Sequence, residues 1–249
     1  MSILVQREFR VAPADRAEFE RQSREGLWPA FLHFGSFMVA YGTWSFGGES
    51  DVVVTHTTYV DFPHWDATRA GGAFYRDEAM RAEIAALRPV YADRGRLVTG
   101  SRARVVDMDD VDDVGDAASS LRPFVRAAGS PLPDPPPTFG AGSVVAEWTH
   151  ALEPGARDEW PAIMRDCTWP WLEAHGARLI AHGRDPLADA SEAITLVAFR
   201  SLDEWHRLAH PLTLDPPADV RAAIERCERI APLRRGRLLA VGTEFGTRV

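Results

Sequence analysis

The stretch at residues 27–42, "LWPAFLHFGSFMVAYG", has a second version at 168–183, "TWPWLEAHGARLIAHG". Trp28-Pro29 falls on Trp169-Pro170, Gly35 on Gly176 and Gly42 on Gly183, all at an offset of 141. A repeat of this length sets the fold, so the rest of the chain is aligned outward from it. "DRGRL" (93–97) falls on "RRGRL" (234–238) at the same offset, and "YVDFPHW" (59–65) on "FRSLDEW" (199–205) at 140. Near the start, "REF" (7–9) meets "AEW" (146–148) at 139, which makes Glu147 the repeat of Glu8 and sets Ala146 where Arg7 stands.

Each half then reads as strand, helix, strand, strand, helix, strand. In half one the strands are "ILVQREF" (3–9), "SFMVAYGTWSF" (36–46), "DVVVTHTTYV" (51–60) and "GRLVTGSRARVV" (95–106). In half two they are "VVAEWTH" (144–150), "ARLIAHG" (177–183), "AITLVAFR" (193–200) and "GRLLAVGTEF" (236–245). The first helix covers 13–32, opened by Pro13, and Gly35 suits its exit. In half two Pro161 and Pro170 predict a shorter or kinked helix. This order is the split βαβ unit, a four-stranded antiparallel sheet with helices on one face. The bare face carries Tyr, Trp, Phe and Val, and two copies bury it by covering each other. The expected fold is therefore α+β: two ferredoxin-like βαββαβ repeats whose sheets pack face to face as an intrachain α/β-barrel. The boundaries are 1–106 and 141–249, joined by a linker at 107–140 that is acidic first ("DMDDVDDVGD", 107–116), then rich in Pro and Gly.

Composition removes several function classes. All 28 basic residues are arginine, so a Schiff-base lysine and a Walker A loop are excluded. The net charge of −8 argues against a nucleic-acid partner. Cys167 and Cys227 provide neither a disulfide framework nor metal-ligand spacing, and no HExxH occurs, so no metal is expected. No apolar run is long enough to span a membrane, and charge comes too early for a signal peptide, so the cytoplasm is the expected location. The glycine pairs at 47–48 and 71–72 give no GxGxxG after a strand.

With "QREFR", "WPAFLHFG", "MVAYGTW" and "YVDFPHWDA" in half one, and "AEWTH", "WPWLEAHGARLIAHG" and "FRSLDEWHRLA" in half two, the chain resembles the dimeric α/β-barrel superfamily. Within it the chain looks like a tandem NIPSNAP-like protein. The resemblance implies a small-molecule ligand and admits cofactor-independent monooxygenases, cyclases, lyases, haem enzymes and members without known catalysis. Members of the superfamily usually pair two chains. A duplicated chain is expected as a monomer with an internal pseudo-dimer, or as a homodimer.

Strand parity supplies the candidate residues. In "VVVTHTTYV" His56 shares a face with Val52, Val54, Thr58 and Val60, and Leu196 occupies its place in half two. His56 is read either as a buried structural histidine or as an acid–base group. Tyr41, with His182 at its repeat position, and Glu8 complete the catalytic candidates. Arg7, Trp44, Phe46, Glu147 and Trp148 are the substrate-binding candidates, the rings forming an aromatic wall and Arg7 holding an anion. The other histidines (His33, His64, His150, His175, His206 and His210) suit caps and strand exits.

These residues lead to an expected small-molecule enzyme of biosynthesis, secondary metabolism or catabolism, without a bound organic cofactor. It would act by acid–base chemistry (cyclisation, isomerisation, elimination or oxygenation) on an aromatic or polyketide-like compound in the barrel interior. The alternatives are a non-catalytic ligand-binding or structural protein, and a haem protein.

Overall fold

The computed structural model describes residues 2–69, 71–78, 80–108 and 140–242. The first repeat runs β1 (Ile3–Val11), α1 (Arg16–Gln22), α2 (Trp28–His33), β2 (Phe37–Phe46), β3 (Val52–Tyr59), α3 (Phe62–Ala67), α4 (Arg81–Arg96) and β4 (Val98–Met108). The second runs β5 (Val144–Ala151), α5 (Ala156–Ile163), α6 (Trp169–Ala174), β6 (Arg178–Arg184), β7 (Glu192–Phe199), α7 (Leu202–Leu208), α8 (Ala218–Ile230) and β8 (Leu233–Val241). The linker expected at 107–140 lies almost wholly outside the described residues; its first two, Asp107 and Met108, extend β4.

The eight strands form one antiparallel sheet in ring order, β1-β3-β2-β8-β5-β7-β6-β4. Each repeat supplies four neighbouring strands. Two seams join the repeats: β2 to β8, and β4 to β6. Alternating side-chain direction divides every strand between the ring interior and an outer face on which the helices lie, and most strand residues are buried on both sides. The helices pack through apolar stripes; α8 buries Val220, Ile224, Cys227 and Ile230, spaced three or four apart.

A π turn joins α1 to α2 (Ser23–Leu27), and another joins α5 to α6 (Met164–Thr168). Each precedes a Trp-Pro pair. Proline lacks the N–H that an α turn needs and crowds the carbonyl one turn back, and the wider turn absorbs both effects. The expected shortening of the second helix does not occur. Pro161 sits inside α5, and both repeats carry the same helix–π turn–helix sequence. Gly35 and Gly176 lie at positive φ just past α2 and α6, as the helix exits require.

Strand registers correct two parts of the alignment. Gln6 pairs with His56 and Arg104, while Glu147 pairs with Leu196 and Arg237. Gln6 is therefore the counterpart of Glu147, at the main offset of 141, and Arg7 is the counterpart of Trp148. The match of Glu8 to Glu147, and that of Arg7 to Ala146, arose from two similar triplets slipped by one dipeptide. "DRGRL" is the end of helix α4, whereas "RRGRL" is strand β8, so their identity is coincidental. The true counterparts of Arg235 and Arg237 are Arg102 and Arg104.

Candidate functional site

The nine candidate residues fall into separate compartments. Glu8, His56, Glu147 and Trp44 belong to the ring interior. Gln6 is at their centre: its amide nitrogen is 2.8 Å from His56 Nε2 and donates to Glu147 Oε2 at 2.6 Å, while its oxygen accepts from Arg104 at 2.9 Å and Arg237 at 3.1 Å. Arg104 contacts Glu147 at 2.6 Å. Arg237 bridges Glu147 at 2.7 Å and Glu8 at 2.9 Å, and stacks over Trp44 with its guanidinium 4.0 Å from the ring centroid. Burial raises the Glu147 carboxyl, but Arg104, Arg237 and the hydrogen bonds outweigh it and bring the group down to about 2. Burial presses His56 down to about 3, so its imidazole is neutral near pH 7. The interior is thus a packed charged network rather than an open aromatic chamber.

Tyr41 lies on the outer face of the first repeat, against Phe19 and Trp28 (ring centroids 6.5 and 5.6 Å), and desolvation raises its phenol pKa. His182 occupies the equivalent place in the second repeat, with Trp160 and Trp169 each 4.8 Å away and Thr195 Oγ1 3.0 Å from Nδ1. Trp148 is on this same face, 6.3 Å from Phe199. Phe46, at the end of β2, is 60% exposed. His56 and Glu8 are therefore brought together, while Tyr41 and His182 stand apart from them and from each other.

The largest space is on the outer face of the first repeat. It is a cleft of about 960 Å³ between β1, β3 and β4 and the helices α2, α3 and α4. Of the nine candidates, Arg7 alone lines it. Its walls are aromatic (Trp28, Tyr59, Trp65, Tyr75 and Tyr91 among them), and Arg7, Arg69, Arg88 and Arg94 point charge into it. No carboxylate is among its lining residues. Arg94 lies over Phe9 and Phe19 at 4.5 and 3.9 Å, donates through Nε to Ser23 Oγ at 2.9 Å, and is lowered to about 10 by burial. Ser23 opens the π turn, which therefore places the acceptor that aims Arg94. Among the described residues these four arginines form no ion pair. Parity on β1 and β3 could have found this wall, since Arg7 and Phe9 alternate with Gln6 and Glu8. Arg94 escaped because its helix was expected to give way to strand at residue 95.

In the second repeat Trp160 stands for Phe19 and Trp148 for Arg7, and a cavity of about 250 Å³ lies at a different place, beside His182, Arg157 and Arg165. Haem does not fit either place well. The large cleft has no histidine or cysteine in its wall, and burial holds the Tyr59 phenol up to about 12, which opposes ligation by phenolate. Among the described residues no cluster of His, Cys, Asp and Glu is arranged for a metal ion, and no helix is long and apolar enough to cross a membrane.

No family model matches the chain, and no curated protein matches it. Solved structures do. A proposed monooxygenase from Lactobacillus acidophilus NCFM superposes with a TM-score of 0.63 at 9% identity, covering 98% of this chain and 95% of that one. A proposed monooxygenase from Fusobacterium nucleatum subsp. nucleatum gives 0.57 at 10% identity, covering 99% and 94%. An anthrone oxidase-like protein gives 0.50 at 12% identity, covering 98% and 92%. At such identities the likeness is one of fold, a tandem ferredoxin-like α+β arrangement over nearly the whole chain.

Proposed function

We propose that the chain binds a small, flat organic anion in the first-repeat cleft. The observation that supports this most is the set of four arginines without carboxylate partners in an aromatic-walled space. Arg94, lowered by burial, carries the desolvation cost, and a ligand carboxylate or phenolate would supply the missing counter-ion. Half-buried Arg7 and the exposed Arg69 and Arg88 line the same cleft. The aromatic walls suit its planar body. The NIPSNAP-like origin and the reading of the ring as an intrachain dimeric α/β-barrel are parts of this proposal.

Turnover of the ligand is the second reading, favoured by the fold shared with two proposed monooxygenases and an anthrone oxidase-like protein. The cleft lacks a side-chain carboxylate or imidazole base, so proton loss would be assisted through the arginines, which favour the ionised form of a bound phenol or enol. On this reading His56 and His182 stabilise the scaffold.

The test is calorimetric titration with naphthoate and with its neutral methyl ester. Naphthoate should bind at least about tenfold more tightly, and Arg94→Gln should remove most of that difference, as the loss of one charge-assisted contact predicts. Equal binding of acid and ester, or an unaffected Arg94→Gln variant, would sink the proposal.

A further inference from the structure

We infer a second site, for a tetrahedral oxyanion, at the mouth of the ring interior. It lies on the opposite side of the β1–β4 sheet from the aromatic cleft and uses none of the cleft's residues. A cavity of about 220 Å³ there is lined by Gln6, Glu8, Arg102, Ala103, Arg104, Arg235 and Arg237. Strand register shows how it is built. Arg104 stands opposite Gln6 and Arg237 opposite Glu147; Arg102 stands opposite Glu8 and Arg235 opposite Thr149. The two repeats thus contribute matching arginine pairs about one internal pseudo-twofold axis.

The four guanidiniums form a funnel. The outer two side chains, Arg102 and Arg235, are 61% and 55% exposed; the inner two, Arg104 and Arg237, are 18% and 7% exposed. Among the described residues, buried negative charge comes from two groups. Glu147 serves Arg104 and Arg237, and Glu8 serves Arg237 and Arg102. Glu49 reaches 3.9 Å from Arg102 but is also held by Arg10. Arg235 has only a 4.0 Å approach to Glu147, a carboxylate already shared. Arg104 Nε is buried with no hydrogen-bond partner among the described residues. Positive charge therefore exceeds its carboxylate partners around a space that takes a group of a few heavy atoms. A phosphate or sulfate group matches in charge, size and acceptor number. It would tie β4 of one repeat to β8 of the other and so stabilise the folded ring by linkage.

The experiment is thermal unfolding and calorimetry of the full chain with inorganic phosphate, against sodium chloride at matched ionic strength. Phosphate should give a saturable rise in Tm that chloride does not. Arg235→Gln removes an exposed, weakly paired side chain and Arg102→Gln an exposed one that also pairs with Glu8, and each should weaken phosphate binding roughly tenfold. Arg94→Gln, in the cleft, should leave it unchanged. Phenyl phosphate in a parallel titration separates two sources: binding assigns the mouth to a phosphorylated organic ligand, and exclusion to the free oxyanion, each in keeping with the site. A phosphate effect no larger than that of chloride, or wild-type affinity in both Arg235→Gln and Arg102→Gln, would overturn the inference. Because the naphthoate test depends on Arg94 and this one on Arg102 and Arg235, each can fail without the other.

Discussion

His56 is, with His150, one of two histidines lowered by burial on which acid stability turns. Its neighbour Gln6 is fixed in orientation because the amide oxygen already accepts from Arg104 and Arg237. The amide nitrogen must therefore donate to His56 Nε2, and the ring proton sits on Nδ1, buried without a partner among the described residues. A folded-state pKa of about 3, against an ordinary 6.5, means that the unfolded chain binds the proton and the folded chain refuses it between those values. Stability contributed by neutral His56 is complete above about pH 6.5 and declines as pH falls, by on the order of 2–3 kcal/mol by pH 4.5. Glu147, brought down from 4.5 to about 2, adds its own loss only below about pH 4.5. His150, lowered to about 4 by burial, adds a loss over the same range as His56. His56→Leu copies Leu196 of the other repeat and should therefore roughly halve the slope between pH 6.5 and 4.5 while leaving the lower part steep. Urea denaturation from pH 7 to 3.5 reads both, and an unaltered slope between 6.5 and 4.5 in the variant would refute the assignment. Parity and the Leu196 comparison placed His56 correctly among inward residues. They could not show what it meets, because Gln6, Arg104 and Arg237 come from three strands far apart in sequence.

At the scale of elements, Gly42 and Gly183 explain why the repeat was visible at all. Each lies at a seam between repeats, Gly42 beside Val241 and Gly183 beside Met108. A β-carbon on Gly42 would come 1.9 Å from the carbonyl oxygen of Ala240, and one on Gly183 would come 1.8 Å from that of Asp107. Backbone cannot retreat there without parting the seam. Gly42→Ala or Gly183→Ala should therefore cost about 2–3 kcal/mol or more, at the upper end for overpacking. Gly95→Ala, in a helix with open space around the added carbon, should be neutral or slightly stabilising. Chemical denaturation of the three variants checks this; similar losses in all three would rule out the close approach as the cause. Strand order and most element boundaries were legible for the same reason: alternation, helix-exit glycines and Trp-Pro pairs are local signals. The π turns and the true correspondence of β4 to β8 between the repeats were not. A π turn has no composition of its own, and short arginine-rich strings match in more than one register.

The whole molecule departs from a homodimer because its halves are free to differ. Arg7 lines the cleft of about 960 Å³, and Trp148 stands at the equivalent position of the other repeat. The seams differ as well. β2 and β8 are in register at Gly42, Thr43, Trp44 and Phe46, whereas among the described residues β4 and β6 meet at Asp107–Arg184 and Met108–Gly183. Local opening follows the fewest cross-links, so the β4–β6 seam should part first while the ladders inside each repeat remain closed. Hydrogen exchange resolved by mass spectrometry should show peptides covering 183–184 exchanging faster than those covering 42–44. Peptides from β1 and β5, each paired on both sides along most of its length, should be slowest. Equal protection at the two seams, or earlier exchange at β2–β8, would mean that the ring is held by something other than its strand pairing.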